Sequence, residues 1–94
     1  MNKELLKNSR LTLSKSTLIT RIDNEDIVFD ALNGIYFRIN NSGKTILDLL
    51  QKKITVEEII NEYRSIFDLS ESHAEKDVID LSITLIEKKI VRIA

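Results

Sequence analysis

One histidine, no cysteine and a scatter of serines and carboxylates are all that this chain offers for chemistry. His73 stands between Glu71 and Glu75 at the start of a helical pattern. A structural or catalytic zinc needs several His or Cys ligands, so this trio reads as a cap region and not a metal site. The serines have no base at a telling distance, and no Gly-x-Ser-x-Gly elbow occurs. Ser42-Gly43-Lys44-Thr45 matches the end of a phosphate-binding loop. That loop also needs a glycine five residues before Gly43, and Arg38 stands there, so the match reads as chance. Asp77 and Asp80 form a carboxylate pair on paper, but three-residue spacing also suits any helix surface. The chain reads as a non-enzyme that needs no cofactor and no metal.

Composition narrows the remaining classes. With 14 basic and 15 acidic residues the net charge is −1, which argues against nucleic acid. Hydrophobic residues at 43% and charged residues at 31% fit a globular domain. No apolar run approaches the ~20 residues of a membrane helix. The first ten residues are charged and lack the apolar core of a secretory signal. These features, with the lack of cysteine, fit a cytoplasmic protein without membrane contact. The expected organisation is a flexible N-terminus over residues 1–10 and one domain over 11–94. A domain of this size buries only ~60–65% of its unfolded surface, so a partner would add to its stability.

The elements that must carry any function start with Ile27–Ile39, reading IVFDALNGIYFRI. Asn33-Gly34 between two apolar runs signals a hairpin. A two-residue loop would place Val28, Asp30 and Leu32 with Ile35, Phe37 and Ile39, burying an aspartate. A three-residue loop over Leu32–Gly34 would place Ile27, Phe29 and Ala31 with Ile35, Phe37 and Ile39. A one-residue slip exchanges the faces completely, so the cleaner apolar set is expected. Leu11–Ile22 reads as a preceding strand with an interruption near Ser14–Ser16, and Asp23–Asp26 reads as a turn. The three strands form a meander whose last member lies at an edge.

The period then becomes helical. The spacing predicts helices over about Gly43–Lys52, Val56–Phe67 and Ser70 or Ser72 to Lys89, with capping boxes at Thr55/Glu58 and Ser72/Glu75. Ile90–Ile93 reads as a short closing strand. In the last helix Ala74, Val78, Leu81 and Leu85 form one stripe, and Ile79, Ile83 and Ile86 form another. Together they span roughly 200°, wider than the ~100° a surface helix needs. The extra stripe fits an enclosed helix, a dimer contact or the wall of a groove. A groove beside a free strand edge would accept an extended peptide as an added strand.

Read as a whole, Phe29–Val91 resembles the PqqD-like family, the RiPP precursor peptide recognition elements. The resemblance rests on Asp30, Gly34, Tyr36-Phe37, Ile39-Asn40 and Gly43-Lys44-Thr45-Ile46, on Thr55-Val56-Glu57-Glu58-Ile59, on Phe67-Asp68, and on Asp77, Val78, Leu81 and Leu85. Leu81 stands in place of the family's aromatic residue. Leu47 replaces a tryptophan frequent in lasso-peptide members, and Lys89 stands where a glycine usually occurs. The resemblance implies an α+β, winged-helix-like fold with a three-stranded antiparallel sheet followed by three helices. It implies that the domain binds the leader segment of a ribosomally synthesised precursor peptide by β-strand addition, as in lasso-peptide maturation. A partner such as a leader protease or radical SAM enzyme would then act on the peptide. The contacts it implies are Ile35, Tyr36, Phe37 and Arg38 on the strand, and Lys76, Ile79, Ile83 and Ile86 on the helix. Two other readings remain: a winged-helix DNA-binding module, which Glu75, Asp77, Asp80 and Glu87 disfavour, and a dimerisation or subunit module. The protein is expected as a monomer or homodimer.

Overall fold

The computed structural model describes residues 2–94, so the Met1 end of the expected flexible segment lies outside the described residues. The chain runs α1 (Lys3–Lys7), β1 (Leu11–Leu13), β2 (Thr17–Ile22), β3 (Glu25–Asp30), β4 (Ile35–Ile39), α2 (Asn41–Leu50), α3 (Val56–Phe67), α4 (Glu71–Glu87) and β5 (Val91–Ile93). The fold is α+β and winged-helix-like. An antiparallel sheet in the order β2-β3-β4 precedes three helices, and β1 pairs with β5 in a second small sheet. The expected break in the first strand is the corner between β1 and β2, where the Ser14 N–H donates to the Ile90 carbonyl at 2.8 Å.

Two turns set the larger sheet. Asp23 and Asn24 join β2 to β3 with φ of 50° and 66°. Positive φ at both central residues matches the right-handed twist of the flanking strands. The β3–β4 hairpin departs from the expected register. Asp30 pairs with Ile35, and Val28 pairs with Phe37, so the loop is the four residues Ala31–Gly34, with Gly34 at φ +67°. The inner face therefore carries Val28 and Asp30 with Ile35, Phe37 and Ile39, not Ile27 and Phe29.

A buried aspartate carries its full desolvation cost only when its carboxylate lacks hydrogen-bond donors. Asp30 is indeed 0% exposed. Its carboxylate, however, accepts hydrogen bonds from the Asn33 N–H (3.2 Å), the Asn33 side-chain amide (3.1 Å) and the Thr17 hydroxyl (3.2 Å). A buried charge with enough donors carries little penalty. Burial alone would raise the Asp30 pKa, but these donors, with Ser16 close by, outweigh it and hold the group below its usual value. Asp30 thus pins the turn to β2.

Helix ends follow local chemistry. Asn40 caps α2 by accepting from the Gly43 N–H. Thr55 and Glu58 form the expected capping box on α3, whose bounds match the sequence reading. Ser70 caps α4 by accepting from the His73 N–H, so Ser72 lies inside the helix. Lys89 follows α4 with φ 61°, a left-handed conformation that favours glycine.

The N-terminal segment, expected to be loose, carries α1 packed onto the core. Asn2 caps it and Leu6 is fully buried. Lys7 Nζ lies 2.6 Å from Glu75 Oε1 on α4, with Lys3 3.4 Å from the other oxygen. Leu6, Leu11, Val28, Leu47, Leu50, Ile59, Val78, Leu85 and Ile90 belong to a single core that draws on nearly every element.

Candidate functional site: the cleft between β4 and α4

Strand β4 has one neighbour, β3, so half of its backbone N–H and C=O groups point away from the sheet. Beside it lies a cleft of about 430 Å³. Phe37, Arg38 and Ile39 form one wall, and Asp77, Asp80, Leu81 and Thr84 of α4 form the other. Tyr63 of α3 and Ile46 of α2 also line it. The start of α2 closes one end. A Cβ on Gly43 would stand 2.5 Å from Ile39 Cγ1, so only glycine lets this turn approach β4 without moving the Ile39 side chain. At the other end the Lys88 ammonium sits 5.7 Å from the Phe37 ring centroid.

Polar groups in the cleft are held in place. The buried Tyr63 hydroxyl donates to Asp77 Oδ2 at 2.8 Å. Burial, and then this bond to a carboxylate, push the Tyr63 pKa up, so it remains a phenol and a donor. His73 Nε2 lies 3.4 Å from the same Asp77 oxygen. Asp80 pairs with Lys76 at 2.7 Å on the exposed helix surface, and that hydrogen bond raises the Lys76 pKa. Arg38 is turned to the sheet rim, 3.0 Å from Glu25. Among the described residues, no group of three or more acidic or histidine side chains comes together to hold a metal ion. Nor is any helix among them long and apolar enough to cross a membrane.

The expected strand contacts divide between two faces. Ile35 and Phe37 are half-buried on the inner face. Tyr36 and Arg38 point outward, with Tyr36 64% exposed and edge-on to Phe29 at 6.3 Å. Arg38 still borders the cleft.

The expected helix contacts are not brought to the cleft. Ile79 is 6% exposed and belongs to the core. Ile83 is half-buried against the core. Ile86 lines a separate hollow with Ser14, Lys15 and Val91, and Lys76 lines a shallow depression with Lys3, Glu75 and Ile79. The isoleucine stripe therefore lies on the opposite flank of α4. Elements of the same chain border it: β5 packs on α4, and α1 reaches α4 through Lys3 and Lys7 on Glu75. The sequence reading missed Asp77, Asp80, Thr84 and Ile39. Asp77 and Leu81 carried a signal, because both belong to the pattern on which the resemblance rests.

The family model for the coenzyme PQQ synthesis protein D (PqqD) matches residues 23–91. This chain belongs to the PqqD family. Its match begins at the β2–β3 turn and ends at the start of β5, so it takes in both walls of the cleft. No curated protein matches the sequence. Among solved structures, TbiB1 in complex with the TbiA(beta) leader peptide superposes with a TM-score of 0.76 at 23% identity, covering 86% of this chain and 94% of that one. The lasso peptide synthetase B1 complexed with the leader peptide gives a TM-score of 0.79 at 18% identity, covering 89% of this PqqD-family chain and 99% of that one. At these identities the two structures establish a shared fold.

Proposed function

We propose that this PqqD-family protein binds the leader segment of a ribosomally synthesised precursor peptide and presents it to a separate maturation enzyme. The leader adds as a fourth strand beside β4. The observation that carries this reading is an unpaired β4 edge bordered by a cleft whose far wall is α4. Backbone hydrogen bonds along the five residues of β4, about 16 Å of strand, supply affinity. Alternate leader side chains enter the cleft against Phe37, Ile39 and Leu81, and the others join the outer face beside Tyr36. The protein does no chemistry itself. The modifying enzyme or leader protease acts on the peptide it holds, in the cytoplasm where such precursors are made. The solved leader-bound relatives support the reading by fold.

The test is a fluorescence-polarisation titration with labelled leader segments of the short precursor-like reading frames that flank the gene. One of them should bind saturably at micromolar concentration or tighter. N-methylating its backbone at alternate residues should abolish binding, because the added strand loses its donors. Binding that ignores backbone methylation, or the absence of any binder, would overturn the proposal.

A further inference from the structure

Within the proposed cleft the two walls differ in charge. Asp77 and Asp80 stand one turn apart on α4 and both line it. The only cation among its lining residues is Arg38, already paired with Glu25 at the sheet rim. Tyr63 occupies Asp77 Oδ2 and so fixes that carboxylate, while Oδ1 accepts no hydrogen bond among the described residues. Lys76 reaches Asp80 along the helix surface, and the His73 imidazole lies 3.4 Å from Asp77. The Lys76–Asp80 pair is exposed, and exposed pairs of this kind exchange partners at little cost. Phe37, Ile39, Ile46 and Leu81 supply the apolar part of the lining, with the Lys88 ammonium 5.7 Å from the Phe37 ring.

We infer that the cleft selects an extended peptide carrying a lysine or arginine over Asp77 and Asp80, with an apolar side chain entering against Phe37 and Leu81. This rests on the strand-addition reading, and it names the class of peptide that site takes. The site itself is the cleft and the open strand edge, and the two aspartates set its preference. Asp77 and Asp80 are positioning and specificity residues here. Neither has a chemical role.

The probes are fluorescein-labelled peptides tiling the leader segments of the flanking reading frames, together with Lys→Gln and Lys→Glu (or Arg→Gln and Arg→Glu) variants of each binder. One cationic position should stand out, its change to Gln weakening binding roughly fivefold and its change to Glu tenfold or more. The double variant Asp77→Asn with Asp80→Asn retains the acceptor for Tyr63 and should fold. It should erase the preference between Lys and Gln, and raising the salt should erase it in the unaltered protein. Asp80→Lys should restore affinity for the Glu peptide, which a merely structural role for Asp80 would not do. If binders exist but every cationic position tolerates Glu, the charge inference fails and strand addition stands. If no peptide binds, the underlying reading fails with it.

Discussion

On one flank of α4, Ile79, Ile83 and Ile86 lie along elements of their own chain; on the other, Asp77, Leu81 and Thr84 look across a cleft to β4. The first flank is the more apolar and the second the more open. A surface that must stay soluble while empty cannot be continuously apolar, whereas one covered by its own chain must be. On the first flank Ile79 is buried while Ile83 and Ile86 are half-buried; on the second, half-buried Leu81 stands among the polar groups that border the open strand.

Substitutions on the two flanks separate these roles. Ile79→Ala leaves a cavity in the core and should cost about 2–5 kcal/mol in urea denaturation. The folded fraction should bind a leader peptide with unchanged affinity. If stability barely moved and binding were lost, the flanks would have to be exchanged. Leu81→Asp should do the reverse, weakening peptide binding at least tenfold while costing roughly 1 kcal/mol or less, since Leu81 is only half-buried. An insoluble or unfolded Leu81→Asp protein would show that this flank too is core.

Acid should act first on the isoleucine flank and the hairpin. Hydrogen bonds from Lys7 and then Lys3 hold Glu75 below its usual 4.5. The Thr55 N–H and hydroxyl do the same for Glu58, and the turn donors outweigh burial to hold Asp30 below 3.8. Each group stabilises the fold when ionised. That contribution is complete above the usual value and is lost as pH falls through the lower folded-state value. The melting temperature should thus be flat near neutrality and fall below about pH 4.5, with α1 released as Glu75 protonates. A melting temperature unchanged down to pH 2 would contradict this. Lys7 runs the opposite way: its raised pKa means its share is present below the usual 10.5 and fades only in alkali.

The smallest effect belongs to the buried stripe between the flanks. Ser82 is buried and its hydroxyl has no hydrogen-bond partner among the described residues. Ser82→Ala should stabilise the protein by about 0.5–1.5 kcal/mol, read by calorimetry, and leave peptide affinity alone. A destabilised variant would reveal a hidden partner.

Much of the fold was legible because it is written locally. The period of Val56–Phe67 and the capping box at Thr55 and Glu58 specify α3 without help from the rest of the chain. The break at Ser14–Ser16, the closing strand and the edge position of β4 follow from alternation and turn residues in the same way. The hairpin register was not legible from hydrophobic pattern, because Asp30 owes its place inside to donors on Asn33 and Thr17. Thr17 lies thirteen residues away along the chain.

By itself the sequence determined the helices and strands from Leu11 onward, though not α1, that β4 ends a meander, and that α4 has more apolar surface than one contact can cover. Only the tertiary structure decided which side of α4 faces β4. Helical periodicity fixes the angles between side chains on one helix, but the rotation of that helix against the sheet depends on everything packed around it. Here α1, with Leu6 buried and Lys7 on Glu75, and the β1–β5 sheet lie along the isoleucine flank. That packing leaves Asp77 and Leu81 on the side of the open strand, with Asp80 at its margin.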